Sequence, residues 1–503
     1  MEKITVNNNY FKDEYNRERI FNGINICDKG IFNGKSRDYT YEWEEGRARK
    51  LKENGLNLVR LGITWDALEP QMDFYNEKYL DAIEKIMDDC AENDVYVYLD
   101  MHQDLFSGFG NGPGDGAPDW ACLKDGYEYK LPKYIWGEGY YFNKAVKRCF
   151  DNFWDNKPLP NGTGVQDKYI ELWAMLAKRF GNHPALMGFD IMNEPYIGTN
   201  GGKLFTKLIM SAVRKTLFDR RLNRHELIKK LKVKGKEVLA LDEYSPQMII
   251  DIMSAAQKGV EKFEKEKYSP FLVKTSKAIR KETPNGTIMI ENNYFSNFAV
   301  PCSLKPIELD GKAEPNQCFA PHAYDIMVDT PLYKYANNDR LKAIFGMRRN
   351  EQETTLNMPV VVGEWGGNSD GTQWLPHVEF LLSLYDSYKW SNTYWAYYDG
   401  IFDSELMGVL KRPHPIAVSG TIISYCHNRD ENTFELEFNN LENCTKETEI
   451  FVHKKVKAVE CSGTFDVNYF ADDSGILTLK ADSGINKIKI YFEGDGLSYK
   501  SSK

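Results

Sequence analysis

The sequence predicts an α/β fold, a (β/α)8 or TIM barrel followed by a C-terminal antiparallel β-sandwich. Up to about residue 411, short β-branched and aromatic runs alternate with longer helical stretches, as in a parallel sheet built from βα units. Beyond Arg412 the pattern changes to short alternating strands without helices, for example TFELEF at 433–438. A chain of 503 residues also exceeds what one hydrophobic core usually holds, so we expect two domains.

Eight runs are predicted to be barrel strands, and eight strands with intervening helices imply a closed barrel. The predicted strands are Phe21–Ile26, Asn57–Ile63, Val95–His102, Leu186–Glu194, Thr287–Asn292, Cys318–Tyr324, Pro359–Trp365 and Asn392–Asp399. The predicted helices between them include Trp43–Asn54, Lys78–Asn93, Asp167–Phe180, Asp251–Glu282 and Trp374–Tyr388. We expect the barrel to span 1–411, with insertions at about 103–161 and 198–245, and the sandwich to span 412–503.

The amino-acid composition limits the kinds of molecule that the protein is expected to bind. The formal net charge is −9, which argues against a nucleic-acid-binding protein because such proteins need a basic surface. The chain has 30 Tyr and 10 Trp, whose flat amphipathic rings stack well on sugar rings. The nine cysteines are scattered without a CxxC pair, which predicts reduced thiols and no zinc site.

The N-terminal segment lacks the apolar stretch of a signal peptide, and no later segment offers about 18 uninterrupted apolar residues. We expect a cytoplasmic protein that acts as a monomer; the alternative is a secreted protein whose signal has been removed. The second insertion carries a basic run from Val213 to Lys236. This run predicts a solvated helical hairpin, with peripheral contact with a lipid surface as the alternative.

Polar residues gather where the predicted barrel strands end. They are Arg60, His102, Asn193, Glu194, Asn292, His322, Tyr324, Glu364 and Trp395. The βα loops of a barrel meet at the carboxyl ends of its strands, which is where active sites are built. We therefore expect the functional site at this end of the barrel, its mouth.

Two glutamates at the mouth predict glycoside hydrolysis. Glu194 ends the apolar run FDIMNEP, and Glu364 lies in PVVVGEWGG. Cleaving a glycosidic bond requires one acid to protonate the departing oxygen and one carboxylate to stabilise the positive carbon. A carboxyl separation of about 5 to 5.5 Å would indicate retention of configuration, whereas roughly 6.5 to 9.5 Å would indicate inversion.

These two segments resemble glycoside hydrolase family 5, a retaining family in which strand four ends in Asn-Glu-Pro and strand seven in Glu. The resemblance implies that Glu194 is the acid/base and Glu364 the nucleophile. It also implies that Arg60 keeps the nucleophile charged and that Asn193 contacts the sugar 2-hydroxyl. The remaining substrate-pocket positions are matched by His102, His322, Tyr324 and Trp395.

Each implied role makes physical sense. An arginine beside Glu364 should lower its pKa, while the negative neighbour should raise the pKa of Glu194. Tyr324 can donate a hydrogen bond to the nucleophile, and Trp395 can form the floor under the reacting sugar.

Three further segments resemble the endoglycoceramidase branch of that family, whose members release whole glycans from glycosphingolipids. They are LDMHQDLFSG, GDGAPDWA and RPHPIAVSG. Within this branch Asp104 matches a sugar-binding acid, Lys29 is a further candidate for a glycan contact, and Trp120 of GDGAPDWA is a candidate substrate contact. For the ceramide we expect an apolar groove beside the mouth, lined by residues between Phe106 and Trp136.

Several alternatives stay open. RPHP carries His414 where the endoglycoceramidase branch has an aromatic residue, a departure that bears on the substrate. An enzyme restricted to glucosylceramide, or a β-glucan endoglucanase, would use the same chemistry. A non-catalytic barrel would lack Glu194 or Glu364, and both are present. A metalloenzyme could use His102, Asp104 and His322, but the sequence shows no HxH or HExxH spacing. We therefore expect neither a metal nor a cofactor.

Overall fold

The structure, a computed structural model, describes residues 1–40, 42–133, 135–234, 237–328, 330, 332–441 and 443–494, with the backbone alone at 238. Residues 235 and 236 of the second predicted insertion and residues 495–503 of the predicted sandwich domain lie outside the described residues. Among the described residues, no helix is both long enough and apolar enough to cross a bilayer.

Eight parallel strands form the predicted barrel. Barrel strands one to eight are Asn22–Cys27, Leu58–Thr64, Tyr96–His102, Leu186–Asp190, Thr287–Ile290, Gln317–Phe319, Val361–Val362 and Ser391–Tyr394. Each pairs with its neighbours in chain order and strand eight returns to strand one. Parallel bridges from Phe319 to Val360 and from His322 to Glu364 join strands six and seven and close the barrel. The predicted fold class is confirmed.

Helices surround this barrel. The α-helices are Arg47–Glu53, Trp65–Leu68, Glu77–Glu92, Glu138–Phe142, Lys144–Trp154, Val165–Phe180, Thr199–Phe218, Arg224–Leu231, Pro246–Met253, Gln257–Phe263, Ser269–Glu282, Asn338–Glu351, Leu375–Tyr388 and Met407–Leu410. In Glu77–Glu92 the Asn76 side chain accepts from the Tyr79 amide at the first turn, and an apolar stripe at helical spacing faces the barrel.

The predicted helix Asp251–Glu282 is broken into shorter segments. A 3-10 turn at Ser254–Ala256 and a π-helical segment at Glu264–Tyr268 interrupt it. Pro270, at the start of Ser269–Glu282, has no amide hydrogen to donate to the preceding turn, which explains why regular α-helical bonding stops just before it.

Two antiparallel sheets form the second domain. One has the order Ile4–Asn7, Tyr10–Asp13, Arg17–Arg19, His414–Ser419, Thr448–Val452, Gly475–Lys480 and Thr464–Tyr469. The other has the order Thr421–Asn428, Thr433–Asn440, Gly484–Phe492 and Val456–Cys461. Phe434, Leu436, Leu477 and Ile490 are buried in the core of this domain. Two short hairpins stand apart, Ile31–Phe32 with Arg37–Asp38 and Glu308–Leu309 with Lys312–Ala313.

The N-terminal segment differs from its predicted placement in the barrel domain. Its strand Arg17–Arg19 pairs antiparallel with His414–Ser419, with Ala417 opposite Arg19. Phe11 meanwhile packs edge-to-face on Phe21 at the base of the barrel, 5.7 Å between ring centroids. Residues 1–20 therefore complete the C-terminal sheet and join it to the barrel, a pairing between positions about 400 residues apart that local sequence patterns do not reveal.

Candidate active site

Glu194 and Glu364 lie together at the mouth of the barrel. Glu194 comes four residues after barrel strand four, and Glu364 two residues after barrel strand seven. One oxygen of each carboxyl and one ring nitrogen of His322 lie within 4.8 Å of one another. The two carboxyl groups are therefore close enough to act on one glycosidic bond, as in retaining sites, whose carboxyl groups lie about 5 to 5.5 Å apart.

Glu364 is held by two donors. Arg60 Nη1 donates to its Oε1 at 2.5 Å and the Tyr324 hydroxyl donates to its Oε2 at 2.8 Å. Burial raises the pKa of Glu364 above its ordinary value, and the Arg60 charge and the Tyr324 hydrogen bond oppose that rise. The sequence predicted a net lowering of this pKa by the arginine; burial, which sequence reasoning did not weigh, outweighs the arginine.

Glu194 has a different environment. Its Oε1 accepts from Asn297 Nδ2 at 2.6 Å and lies 3.1 Å from His322 Nδ1. Burial, followed by the nearby charges of Glu364 and Asp104, raises the pKa of Glu194 well above its usual range. Glu194 is therefore suited to hold a proton at the pH at which an ordinary glutamate is ionised.

The backbone fixes the direction of the Glu194 side chain. Its φ of 42° lies in the left-handed region, which a residue with a Cβ adopts when its surroundings impose it. The Glu194 amide donates to Glu291 Oε2 at 2.8 Å, and its carbonyl oxygen accepts from Gln103 Nε2 at 3.3 Å. Hydrogen bonds on both sides of the residue thus hold this conformation.

His322 lies beneath the two glutamates and is fully buried. Its Nδ1 is 3.7 Å from Glu364 Oε2, and its backbone amide donates to Asn292 Oδ1 at 3.0 Å. Burial and the positive charge of Arg60 lower the pKa of His322 well below its ordinary value. The imidazole is therefore neutral and places no additional positive charge beside Glu194.

Arg60 is the electrostatic centre of the site. Besides Glu364 it binds Asp190 at 2.9 Å, Glu291 at 2.8 Å and Asp100 at 3.0 Å. One guanidinium cannot neutralise four buried carboxylates, so part of this group must hold protons. Accordingly, burial raises the pKa of Asp190 to about 6, and burial with the Asp190 charge raises that of Glu291 well above its usual range.

Asn193 is oriented by two hydrogen bonds. Its Oδ1 accepts from Arg60 Nη2 at 2.9 Å and its Nδ2 donates to the Gln103 carbonyl oxygen at 3.1 Å. These two bonds fix the plane of the amide and leave the second hydrogen of Nδ2 available to a ligand. Asn193 lines the cavity described below.

A second polar group lies on the other side of the mouth. The His102 ring stacks on Trp395, 5.3 Å between centroids and 11° between planes, and its Nδ1 lies 2.7 Å from Asp100 Oδ2. Lys29 Nζ binds Asp104 Oδ2 at 2.5 Å and lies 5.1 Å from the centre of the Trp395 ring. Burial favours the neutral form of Asp104, but the Lys29 charge outweighs it and lowers the pKa of Asp104 to about 2.

These residues enclose a cavity of about 340 Å³. The polar side chains that line it are Lys29, His102, Asp104, Asn193, Glu194, Asn297, Tyr324 and Glu364. The apolar and aromatic side chains that line it are Pro113, Trp136, Tyr294, Phe298, Val328 and Trp395. The cavity therefore has the mixed lining of a ligand site: its polar side chains can orient polar groups of a ligand, and its apolar side chains can contact an apolar part of the same ligand.

Most of the predicted site residues are brought together here, and three occupy other positions. Arg60 and His322 lie under the cavity and act on the glutamates rather than on a ligand. Trp120 does not line the cavity: its ring packs edge-to-face on Trp65 at 5.4 Å, and its Nε1 donates to the Glu69 carbonyl oxygen. A sequence motif around a tryptophan does not reveal which way the ring points.

Several contributors were missed by sequence reasoning. They are Asp100, Asp190, Glu291, Asn297, Tyr294 and Phe298. Asp100 could have been found, because it lies two residues before His102 and so shares its face of the strand. Asn297 could not, because it lies in a 3-10 turn, Tyr294–Phe298, whose direction depends on tertiary packing.

Three groups of acidic and histidine side chains have metal-like spacing, each within 4.8 Å. They are His102 with Asp104 and Asp115, Glu194 with His322 and Glu364, and Asp100 with Asp190 and Glu291. Arg60 or Lys29 already binds carboxylates in each group. Because a cationic side chain already neutralises at least one carboxylate of each group, these groups fit a metal centre poorly.

Known proteins resemble this chain over part of its length in one case and over most of it in another. Endoglycoceramidase of Hydra vulgaris is 31% identical over 216 residues, which cover 38% of this chain and 40% of that protein. Endoglycoceramidase I of Rhodococcus hoagii (strain 103S) is 24% identical over 463 residues, which cover 88% of this chain and 77% of that protein. The solved structure of endo-glycoceramidase II from Rhodococcus sp., in complex with a cellobiose-like imidazole, matches with a TM-score of 0.72.

That solved structure is 23% identical in sequence, and the match covers 96% of this chain and 100% of the other; it shows a shared fold. The family model described as cellulase (glycosyl hydrolase family 5) matches residues 23–223 and 240–400. The glycoside hydrolase family 5 C-terminal domain matches residues 412–490. Together with two glutamates at the ends of strands four and seven, these matches show that the chain belongs to glycoside hydrolase family 5.

Proposed function

We propose that this protein is a retaining β-glycosidase that hydrolyses the bond between the glycan and the ceramide of glycosphingolipids. The observation that carries the proposal is that Glu194 and Glu364 lie close together in a cavity lined by both polar and apolar side chains. The similarity to endoglycoceramidases of Hydra vulgaris and Rhodococcus hoagii supports the substrate class.

In the first step Glu364 Oε attacks the anomeric carbon while Glu194 gives its proton to the glycosidic oxygen. The bond between the anomeric carbon and that oxygen breaks, ceramide leaves as an alcohol, and the glycan remains as an ester of Glu364. In the second step Glu194, now ionised, takes a proton from water. The water oxygen attacks the anomeric carbon, the ester bond breaks, and Glu364 is again a carboxylate.

The polar lining suits the sugar. Asn193 lines the cavity together with the two glutamates, and we assign its Nδ2 as the donor to the 2-hydroxyl of the reacting sugar. Trp395 offers a flat face, and the ion pair of Lys29 with Asp104 offers both a donor and an acceptor for sugar hydroxyls.

The apolar lining suits the departing lipid. Trp136, Phe298 and Val328 line the same cavity as Glu194. The sequence placed this surface between Phe106 and Trp136. Trp136 does line the cavity, whereas Phe106 is buried against Phe150 at 5.1 Å and cannot contact a ligand.

Product analysis tests the proposal. Purified enzyme is offered glucosylceramide, lactosylceramide and a ganglioside in detergent, and the products are identified by mass spectrometry. We expect ceramide and an intact oligosaccharide from the longer substrates. Glu364→Gln is the blank and should lower turnover by on the order of 10³-fold or more, because it removes the nucleophile but little volume; circular dichroism checks that the variant is folded.

Two other outcomes would replace the proposed substrate. Cleavage of glucosylceramide alone would indicate a glucosylceramidase, a candidate favoured by the cavity of about 340 Å³, which is at the small end for ligand sites. Activity on cellotetraose without ceramide release would indicate a β-glucanase, as the description of the matching family model suggests.

A further inference from the structure

The second insertion exposes an unusual amount of apolar surface. Its exposed large apolar side chains are Ile209, Met210, Val213, Leu217, Phe218, Ile228, Leu231 and Val233. Two of these, Met210 and Phe218, are 66% and 74% exposed. Scattered exposed apolar residues need no explanation, but a concentration of eight within 25 positions marks an interaction surface.

Helix Thr199–Phe218 orders part of this surface into one face. Met210 and Leu217 are seven residues apart and lie one above the other, with Val213 between them on the same side. Lys203, Lys207 and Arg214 recur at the same spacing and flank this apolar strip. We call these six residues the insertion face.

The charge of the segment is opposite to that of the molecule. Residues 203–234 contain eleven Lys and Arg against two Asp and Glu, in a chain of net charge −9. Some of these cations are neutralised, as in Lys215 with Asp251 at 2.6 Å and Lys230 with Glu243 at 2.7 Å. Within the described part of the chain, Lys207 and Arg214 form no ion pair, so their charge is directed at solvent.

This helix adjoins the cavity mouth. Phe205 packs on Tyr141 at 4.4 Å between ring centroids, and Tyr141 contacts Tyr294 of the cavity wall at 6.1 Å. Phe142 and Ile135, 69% and 56% exposed, extend the apolar surface next to Trp136. On the other side, Asp242 binds Arg340 at 3.2 Å, and Arg340 binds Asp325, the neighbour of Tyr324. The insertion is therefore connected, through Tyr141 and Arg340, to the two segments that contribute Tyr294 and Tyr324 to the cavity.

We propose that the insertion face docks on the surface of an anionic lipid bilayer. An amphipathic helix with apolar residues along one strip and Lys and Arg beside it lies in the plane of such a surface, and negative lipid headgroups attract the cations. A second copy of this chain does not fit the face, because a two-fold interface would oppose like charges. The physiological purpose rests on the proposed lipid substrate, which docking would bring to the adjoining cavity.

Binding to vesicles that contain no glycolipid tests docking separately from hydrolysis. The full-length protein is sedimented with vesicles of phosphatidylcholine alone and of phosphatidylcholine mixed with phosphatidylglycerol. We expect binding to the anionic vesicles only, weakening as salt is added. Removing two cations with Lys207→Gln and Arg214→Gln should lower the partition coefficient by roughly 25-fold, and Met210→Glu with Leu217→Glu should abolish binding.

Matched variants on the sandwich serve as controls. Ile485, 68% exposed, and Lys487, 74% exposed in its side chain, are changed to Glu and Gln and should leave vesicle binding intact. All variants should hydrolyse a soluble aryl β-glycoside at the wild-type rate. The proposal is overturned if the wild-type protein ignores anionic vesicles, or if Met210→Glu with Leu217→Glu binds them as well as the wild type, whatever the result with glycolipids.

Discussion

Glu194 and Glu364 have the same side chain, but their surroundings favour different protonation states. Glu364 faces the Arg60 guanidinium and the Tyr324 hydroxyl, both of which favour its ionised form. Glu194 faces the neutral ring of His322 and the negative charge of Glu364, which favour its protonated form. Burial raises the pKa of both glutamates; the charge of Glu364 adds to the rise at Glu194, whereas Arg60 and Tyr324 oppose the rise at Glu364. This contrast supports the proposed roles of Glu194 as the acid and Glu364 as the nucleophile.

Replacing Glu194 should affect substrates according to their leaving group. For a substrate with an alkoxide leaving group, Glu194→Gln removes the proton donor, and kcat should fall by about 10² to 10⁴-fold. An activated aryl glycoside needs no proton in the first step, so its bond cleavage should lose much less. The check is a comparison of the two substrates, with a burst of phenol release measured by stopped flow. An equal loss in the rate of bond cleavage on both substrates would contradict the acid/base assignment.

The pH profile should report the hydrogen bond from Tyr324. Glu364 must be ionised to attack, so activity is lost as pH falls through its pKa. The Tyr324 hydroxyl lowers that pKa, so Tyr324→Phe should raise it and move the acid limb of kcat/KM to higher pH. The alkaline limb, at which Glu194 loses its proton, should stay in place. An unmoved acid limb in a profile measured on an aryl glycoside would refute this role.

At the level of elements, the segment after barrel strand five completes the site. Asn293 accepts from the Phe295 amide at 3.0 Å and starts the 3-10 turn Tyr294–Phe298. This turn places Tyr294 and Phe298 on the cavity and directs Asn297 to Glu194. A single short turn thus supplies both apolar lining of the cavity and a hydrogen bond to Glu194, the proposed acid/base.

Removing the Asn297 side chain should therefore lower activity without unfolding the protein. A hydrogen bond to a charged group contributes about 1.5 to 3 kcal/mol, and Glu194 becomes charged as it gives up its proton. Asn297→Ala should therefore reduce kcat/KM by about ten- to hundredfold. Asn161→Ala, at an exposed loop position, is the control and should be neutral. If Asn297→Ala matches the wild-type rate at equal thermal stability, the hydrogen bond plays no part in turnover.

At the scale of the whole molecule, the two ends of the chain are joined in one sheet. Arg17 binds Asp13 at 2.8 Å and Glu449 at 2.9 Å, and Arg19 binds Asp13 at 3.2 Å. Asp13 and Arg17 are buried. This ion-pair cluster fixes the N-terminal strands between the barrel base and the sandwich.

Breaking that cluster should destabilise the fold and spare the chemistry. Asp13→Ala leaves Arg17 and Arg19 buried with fewer partners, and loss of one member of a buried pair costs about 3 to 5 kcal/mol. Urea titration should show that lower free energy of unfolding, while kcat on a soluble glycoside well below the melting temperature is unchanged. Glu14→Ala, an exposed neighbour, should have little effect; a similar loss there would contradict the argument.

The sequence alone determined the barrel and the meeting of Glu194 and Glu364 at its mouth, because local periodicity dictates strands and the carboxyl ends of barrel strands converge by topology. It also placed Arg60 and Tyr324 correctly beside Glu364. Only the tertiary structure decided how far each carboxyl is buried, where Trp120 points, that Asn297 reaches Glu194, and that residues 1–20 belong to the C-terminal sheet. These properties depend on contacts between positions far apart in the chain, and such contacts leave no local periodic signal.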